Sequence, residues 1–108
     1  MILNSIEDAG NSSYNGLIDT MQFEWIKEEL QKTGPGTPIV LSTHIPFLTV
    51  ETQVYQGTTV ANDSSLVIYN GKEVLGLFNG HNLKLVLQGH LHIYEDIYIE
   101  GIHFITGS

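Results

Sequence analysis

Histidines are the residues of this chain that are best suited to chemistry. His90 and His92 flank a single residue directly after Gly89, and His44 stands two residues before Pro46. Neutral imidazole is a common protein ligand for Zn, Fe and Mn ions. A His-X-His pair alone is a weak signal for a metal site, because ordinary surface histidines produce the same pattern more often. The surroundings of these histidines therefore decide how they are interpreted.

Both histidine motifs directly follow a run of apolar residues, at 39–41 and at 85–87. Continuous apolar runs of this length are typical of strands that are buried on both faces. In open α/β sheets, sites lie outside the carboxyl ends of the strands. Pro46 disfavours helix for the residue before it, so we expect His44 to lie on a rigid turn. Gly89 would let the backbone turn tightly or approach a ligand closely.

The elements that must position these histidines alternate between strands and helices, which indicates a layered α/β sheet. The pattern predicts first a strand at 2–3, a loop up to residue 16, a helix from Asp19 and a strand at 39–41. A long loop over 50–66 follows, with weak strand character at 52–55. The last predicted elements are a helix over 72–78 capped by Asn70, a strand at 83–87 and a hairpin over 97–105 around Glu100 and Gly101.

The first helix carries the clearest start signal. Asp19 is a good N-cap, and Gln22 three residues later completes a capping-box pattern. Apolar residues recur with helical spacing, and we expect Trp25 to lie in the core. The two remaining histidines are predicted to be surface residues, with His81 in a solvated turn and His103 on the exposed face of the hairpin.

Composition limits the possible partners. The chain has 108 residues, 42% of them hydrophobic, with 4 basic and 12 acidic residues and a net charge of −8. An acidic surface disfavours nucleic-acid binding. The absence of cysteine removes disulfides and thiolate sites. No apolar run is long enough to cross a membrane, and no signal-like segment indicates a compartment.

Taken together, a strand followed by Thr-His-X-Pro and a later strand followed by Gly-His-X-His resemble the closing pattern of the calcineurin-like metallophosphoesterases. Gln22, Trp25, Ile26 and Leu30 are similar to the helix of that family in which a glutamine is followed by Trp-Leu. Residues 3–5 and Gly16 resemble the strand and loop before that helix, and residues 106–108 resemble the segment after the final hairpin. The resemblance covers nearly the whole chain. It implies that residues 1–108 are the C-terminal portion of a single four-layer α/β/β/α domain.

The same resemblance implies a two-metal site that hydrolyses phosphomonoesters or phosphodiesters. His44 and His90 would bind one metal, and His92 would bind the other. The ions would be two divalent or trivalent metals among Mn, Fe, Zn, Ni and Co. Such a pair generates a hydroxide nucleophile and neutralises charge on the phosphoryl group.

The N-terminal motifs of that family are absent. They are Asp-X-His, Gly-Asp-X-X-Asp and Gly-Asn-His-Asp/Glu, and none of the four aspartates, at positions 8, 19, 63 and 96, lies in one of them. The chain therefore contains no catalytic residue of the family, and the acid histidine is expected upstream in a parent protein. We expect the isolated chain to be inactive, with partial or no metal occupancy, and to self-associate through faces that the missing part would cover.

Two alternatives from other classes stay open. The chain could be a non-catalytic interaction module that retains the fold. It could also be a module that binds a single Zn through His44, His90 and His92, since three histidines suffice for zinc. Thr43, Glu95 and Asp96 are candidates for orienting the histidine rings.

Overall fold

The computed structural model describes residues 1–10 and 13–107, and only the backbone of residues 7–10, 13 and 14. The strands are β1 Ile2–Leu3, β2 Ile6–Gly10, β3 Ser13–Gly16, β4 Pro38–Thr43, β5 Asn82–Gln88, β6 Glu95–Ile99 and β7 Ile102–Thr106. The helices are α1 Thr20–Gln31, α2 Glu51–Gln56 and α3 Gly71–Gly76.

The described strands form a mixed five-stranded sheet in the order β1-β4-β5-β7-β6 and a separate two-stranded sheet, β2-β3. The pairs β1·β4, β4·β5 and β5·β7 are parallel, and β6 runs antiparallel to β7. The α/β class predicted from the sequence is confirmed. Because four strands run in the same direction, their carboxyl ends meet at one edge of the sheet.

The segment before α1 differs from the prediction of a loop. Residues 6–10 and 13–16 pair as an antiparallel hairpin with an irregularity between Asp8 and Gly10. Gly16 also bridges to Ile68. A Cβ added at Gly16 would lie 2.4 Å from the carbonyl oxygen of Val67, so only glycine allows this approach. The turn formers in the segment obscured this local strand pairing. Residues 11 and 12 lie outside the described part of the chain.

Helix α1 begins as predicted, because the Asp19 carboxylate accepts a hydrogen bond from the backbone N–H of Gln22 at 2.9 Å. The prediction that Gln22 completes a capping box is wrong. The Gln22 amide instead accepts from the backbone N–H of Asn4 at 2.7 Å and donates to its carbonyl at 2.6 Å, which ties the helix to the end of β1. Trp25 is also not a core residue: it is 42% exposed, because the buried stripe runs through Ile26 and Leu30.

The long segment after β4 contains helix α2 where the sequence suggested weak strand character. Thr49 stabilises the start of this helix by accepting a hydrogen bond from the backbone N–H of Glu51 at 3.1 Å.

Helix α3 lies where a helix was predicted, but Asn70 does not cap it through its side chain. The Asn70 amide pairs with the backbone N–H and carbonyl of Ile18 at 3.0 and 2.7 Å. None of the helices in the described residues is both long and apolar enough for a membrane span.

The sheet has one packed face. Leu41, Val86 and Phe104 point into a core that they share with residues of α1 and α3 such as Ile26 and Val74. The opposite face presents apolar side chains to solvent, so the prediction of strands buried on both faces is wrong. This outer face is formed by Ile2, Val40, Leu85, Leu87, Tyr98 and Ile105.

The hairpin of β6 and β7 confirms the prediction. Glu100 and Gly101 have φ values of 52° and 82°, as a tight two-residue turn between antiparallel strands requires. His103 is exposed, as expected. His81 is half-buried rather than solvated, and its Nδ1 is buried without a hydrogen-bond partner among the described residues.

Self-association through the outer face stays a prediction, and matched substitutions test it. Val40 on the outer face is 44% exposed, and Val54 on α2 is 69% exposed. We expect the chain to sediment as a dimer or larger species, and Val40→Lys to reduce its mass because it introduces a charge into an apolar contact. Val54→Lys should leave the mass unchanged. A wild-type monomer at high concentration in sedimentation velocity would contradict the prediction, as would equal effects of the two variants.

Candidate metal centre

The register of two central strands brings two histidines together. Ser42 of β4 lies opposite Leu87 of β5, so the chain segments that leave these strands run side by side. The backbone N–H of Gly89 donates to the carbonyl of His44 at 2.9 Å. The rings of His44 and His90 then meet edge to face, with centroids 5.1 Å apart and an interplanar angle of 68°. These two rings therefore lie together at the edge of the sheet where β4 and β5 end.

Backbone strain is concentrated in the second motif. His90 has a φ of 77° and His92 a φ of 57°, which is the left-handed region that side chains other than glycine rarely adopt. Such a residue costs roughly 1–3 kcal/mol, and the surrounding structure must hold it in place. Gly89 is not the residue that makes this turn, contrary to our expectation. A Cβ at Gly89 would meet the His44 carbonyl at 3.5 Å, which is an ordinary contact.

The surroundings of His90 favour a neutral ring. Burial and then the neighbouring His44 lower the pKa of His90, while a hydrogen bond to the backbone of Ser65 opposes this shift. A hydrogen bond that raises the pKa of an imidazole is one that its N–H donates, so the Ser65 carbonyl is the acceptor. Backbone carbonyls commonly orient metal-binding histidines in this way.

Ser65 is held by a local turn. The Asp63 carboxylate accepts from the Ser65 backbone N–H at 2.9 Å and from its hydroxyl. These two hydrogen bonds lower the pKa of Asp63, the hydroxyl having the larger effect. The sequence offered no means of placing this turn, because it lies in the segment 50–66 and reaches His90 only through the tertiary fold.

The turn that carries His44 is anchored from the short segment between β1 and β2. The buried Ser5 hydroxyl accepts from the backbone N–H of Ile45 at 2.8 Å, across 40 residues of sequence. The Thr43 hydroxyl donates to the Ile45 carbonyl at 3.2 Å. Thr43 thus stabilises the turn through a hydrogen bond to the backbone. The rigid turn expected from Pro46 therefore has identifiable supports.

A buried glutamine holds the loop that follows His44. The Gln88 carbonyl oxygen accepts from the backbone N–H of Phe47 at 3.0 Å, and its amide donates to the Leu48 carbonyl at 2.5 Å and to the Thr106 hydroxyl at 3.0 Å. Sequence reasoning missed this residue. A polar side chain at the last position of an apolar strand, directly before Gly-His-X-His, was the available signal.

His92 does not share in the ring contact. It is exposed, although it lies close enough to His90 to contribute to the lowered pKa of that ring. Asp96, a candidate partner for the site histidines, instead pairs with His103, whose Nδ1 lies 2.9 Å from the Asp96 carboxylate. Glu95 accepts from Thr49, Val50 and Thr106.

The donor set fits part of a metal centre. His44 and His90 offer adjacent imidazoles at the carboxyl ends of parallel strands, which suits metal coordination. Within residues 1–6 and 15–107, whose side chains the structure describes, no group of three or more histidine, aspartate or glutamate side chains is arranged to hold an ion. A complete centre would therefore need ligands beyond this pair.

The fold is similar to that of a dimetal phosphatase. A crystal structure of a dimetal phosphatase from Danio rerio superposes on the chain with a TM-score of 0.60 and 20% sequence identity. The match covers 86% of this chain and 27% of the phosphatase, so the chain spans about a quarter of that protein's length. No protein-family model and no curated protein sequence matches the chain. At this identity the likeness concerns the fold.

The positive φ of His90 predicts that glycine replaces this residue with less loss of stability than alanine. At position 90 we expect His90→Gly to be more stable than His90→Ala by about 1 kcal/mol, because glycine adopts a positive φ without steric cost. At position 103, inside strand β7, the order should reverse and His103→Ala should be the more stable variant by about 0.5–1 kcal/mol.

Urea unfolding followed by circular dichroism measures both pairs. The comparison cancels the loss of the imidazole, because both variants at each position lack it. If alanine were the more stable replacement at both positions, the left-handed conformation of His90 would be refuted.

Proposed function

We propose that this chain is part of a metal-dependent phosphoesterase, to which it contributes His44, His90 and His92 as metal ligands. The observation that carries the proposal is the contact between the His44 and His90 rings, with centroids 5.1 Å apart at the ends of adjacent parallel strands. The similarity of the fold to that of a dimetal phosphatase supports it. In this proposal His44 and His90 serve one metal and His92 a second.

The residues of this chain would prepare the ligands. Burial and the neighbouring rings favour the neutral form of His90, which is the form that binds metals. The Ser65 carbonyl would fix the orientation of that ring. The Ser5 hydroxyl and the Gln88 amide would hold the His44 turn from two sides. When bound, the metals of such a site acidify a water molecule and neutralise charge on the phosphoryl group.

The substrate of the parent protein would be a phosphomonoester or a phosphodiester. The remaining ligands and the general acid would come from a part of the protein that this chain does not supply, which matches the small share of the similar phosphatase that the chain spans. The outer face of the sheet would then pack on a second sheet in a four-layer arrangement. The isolated chain would be inactive.

A non-catalytic interaction module is the second candidate. The apolar outer face favours it, because exposed apolar surfaces of this kind commonly bind other proteins. In that case the strain at His90 and His92 would have no function in metal binding.

Activity and metal binding of the isolated chain test the proposal together. We expect no hydrolysis of bis(p-nitrophenyl) phosphate above the background of Mn²⁺ alone, because three imidazoles cannot complete two metal sites. Calorimetric titration with Mn²⁺ and Zn²⁺ should show weak binding, reduced about tenfold or more in His44→Ala and His90→Ala by loss of a ligand. His103→Ala is the matched control and should bind as the wild type does.

Metal-dependent hydrolysis that disappears in His90→Ala would contradict the inactivity of the chain. Absence of any binding, or equal binding by all variants, would favour the interaction module. Tight stoichiometric Zn²⁺ binding that needs all three histidines would favour the single-zinc module. Immunoblotting of the native source tests whether the chain is part of a longer protein. A band well above the mass of 108 residues supports a longer parent enzyme.

A further inference from the structure

Glu95, at the start of β6, receives hydrogen bonds from three separate donors. One carboxylate oxygen accepts from the hydroxyls of Thr49 and Thr106, the latter at 3.1 Å. The other lies 3.3 Å from the backbone N–H of Val50, which donates to it. The two threonines are almost fully buried, at 3% and 0% exposure, so their hydroxyls depend on protein partners.

The direction of these bonds requires a group that only accepts. The Thr106 hydroxyl already accepts from the Gln88 amide at 3.0 Å, and the Thr49 hydroxyl accepts from the backbone N–H of Glu51 at 3.1 Å. The proton of each hydroxyl is therefore directed at Glu95. An ionised carboxylate has no donor, so it satisfies all three neighbours without conflict.

The same contacts lead to the His44 turn. Gln88 binds the backbone of Phe47 and Leu48, and Glu95 binds Thr49 and Val50, so four consecutive residues are attached to the ends of the sheet. This loop begins three residues after His44. Its position constrains where the His44 ring can lie.

A second series of contacts leads to His90. The Thr49 carbonyl accepts from the Asn62 amide at 3.2 Å. Asn62 directly precedes Asp63, which holds Ser65, and Ser65 is the backbone partner of His90. Glu95 thus stands at the junction of the supports of both histidines.

We propose that Glu95 is a positioning residue that holds the rings of His44 and His90 in mutual contact. The consequence for metal binding rests on the proposed function, whereas the effect on ring geometry does not. Glu95 acts through the loop at 47–50 and the Asp63 turn, and its role depends on its being an acceptor without donors.

The substitution Glu95→Gln tests this role in the full 108-residue chain. The amide nearly preserves size but presents an N–H₂ group to at least one of the three donors. In the metal-free protein we expect the nuclear Overhauser contact between the His44 and His90 rings to be lost and their ring signals to shift. If the wild type binds Mn²⁺ or Zn²⁺, the affinity of Glu95→Gln should fall about tenfold, as is usual when an outer partner of a ligand is removed.

Matched controls separate positioning from charge and from general stability. Glu28→Gln removes one negative charge from an exposed position on α1 and should leave the ring signals unchanged. Thr49→Val removes a donor to Glu95 and should reproduce the ring shifts, whereas Thr49→Ser keeps the hydroxyl and should restore the wild-type spectrum. If Glu95→Gln does not fold, the Thr49 pair decides the outcome.

The outcomes distinguish this inference from the proposed function. Unchanged ring contact in a folded Glu95→Gln protein would overturn the positioning role, whatever the metal affinity. If the wild type binds neither metal while Glu95→Gln still disrupts the ring contact, the positioning role stands and the proposed function fails. Ring shifts of equal size in Glu28→Gln would also overturn the inference, because they would show an effect of charge alone.

Discussion

The parallel pairing of β4 and β5 sets the positions of the turns and histidines that follow these strands. Both strands end at the same edge of the sheet, and the Gly89–His44 backbone hydrogen bond extends their association into the turns beyond. A shift of one residue in this register would exchange the two faces of a strand and separate the histidines. The contact between the rings is therefore a direct consequence of how the core residues of the two strands are packed.

Buried polar side chains transmit this constraint to the loops. Ser5, Gln88 and Glu95 bind backbone groups of the turn after β4. Ser5 follows β1, Gln88 ends β5 and Glu95 begins β6. Leaving such a group unsatisfied costs roughly 1–3 kcal/mol, so any movement of the turn would break several favourable contacts at once. The His44 turn fixed in this way accepts a hydrogen bond from Gly89, directly before the left-handed His90.

The asymmetry of the sheet gives the molecule two different surfaces. One face is covered by helices, while the outer face carries exposed apolar residues from each of the five strands. The histidines lie at the edge between these faces. In our proposal, the part of the parent protein that covers the outer face would also bring further metal ligands to this edge. The same contacts would then complete both the fold and the metal site.

The elements with local signals could be predicted from the sequence alone. Asp19 begins α1, Glu100 and Gly101 make the hairpin turn, and the apolar runs before His44 and His90 are strands that end at a shared edge, because capping, turn geometry and strand periodicity depend on neighbouring residues. The tertiary fold instead set the exposure of Trp25, the helix in place of a loop after Val50, and the partners of Gln22 and Asn70. It also decided that Ser65 and Glu95 support the histidines. These outcomes rest on contacts between residues far apart in the chain, and the energy of such contacts outweighs the small preferences that local sequence expresses.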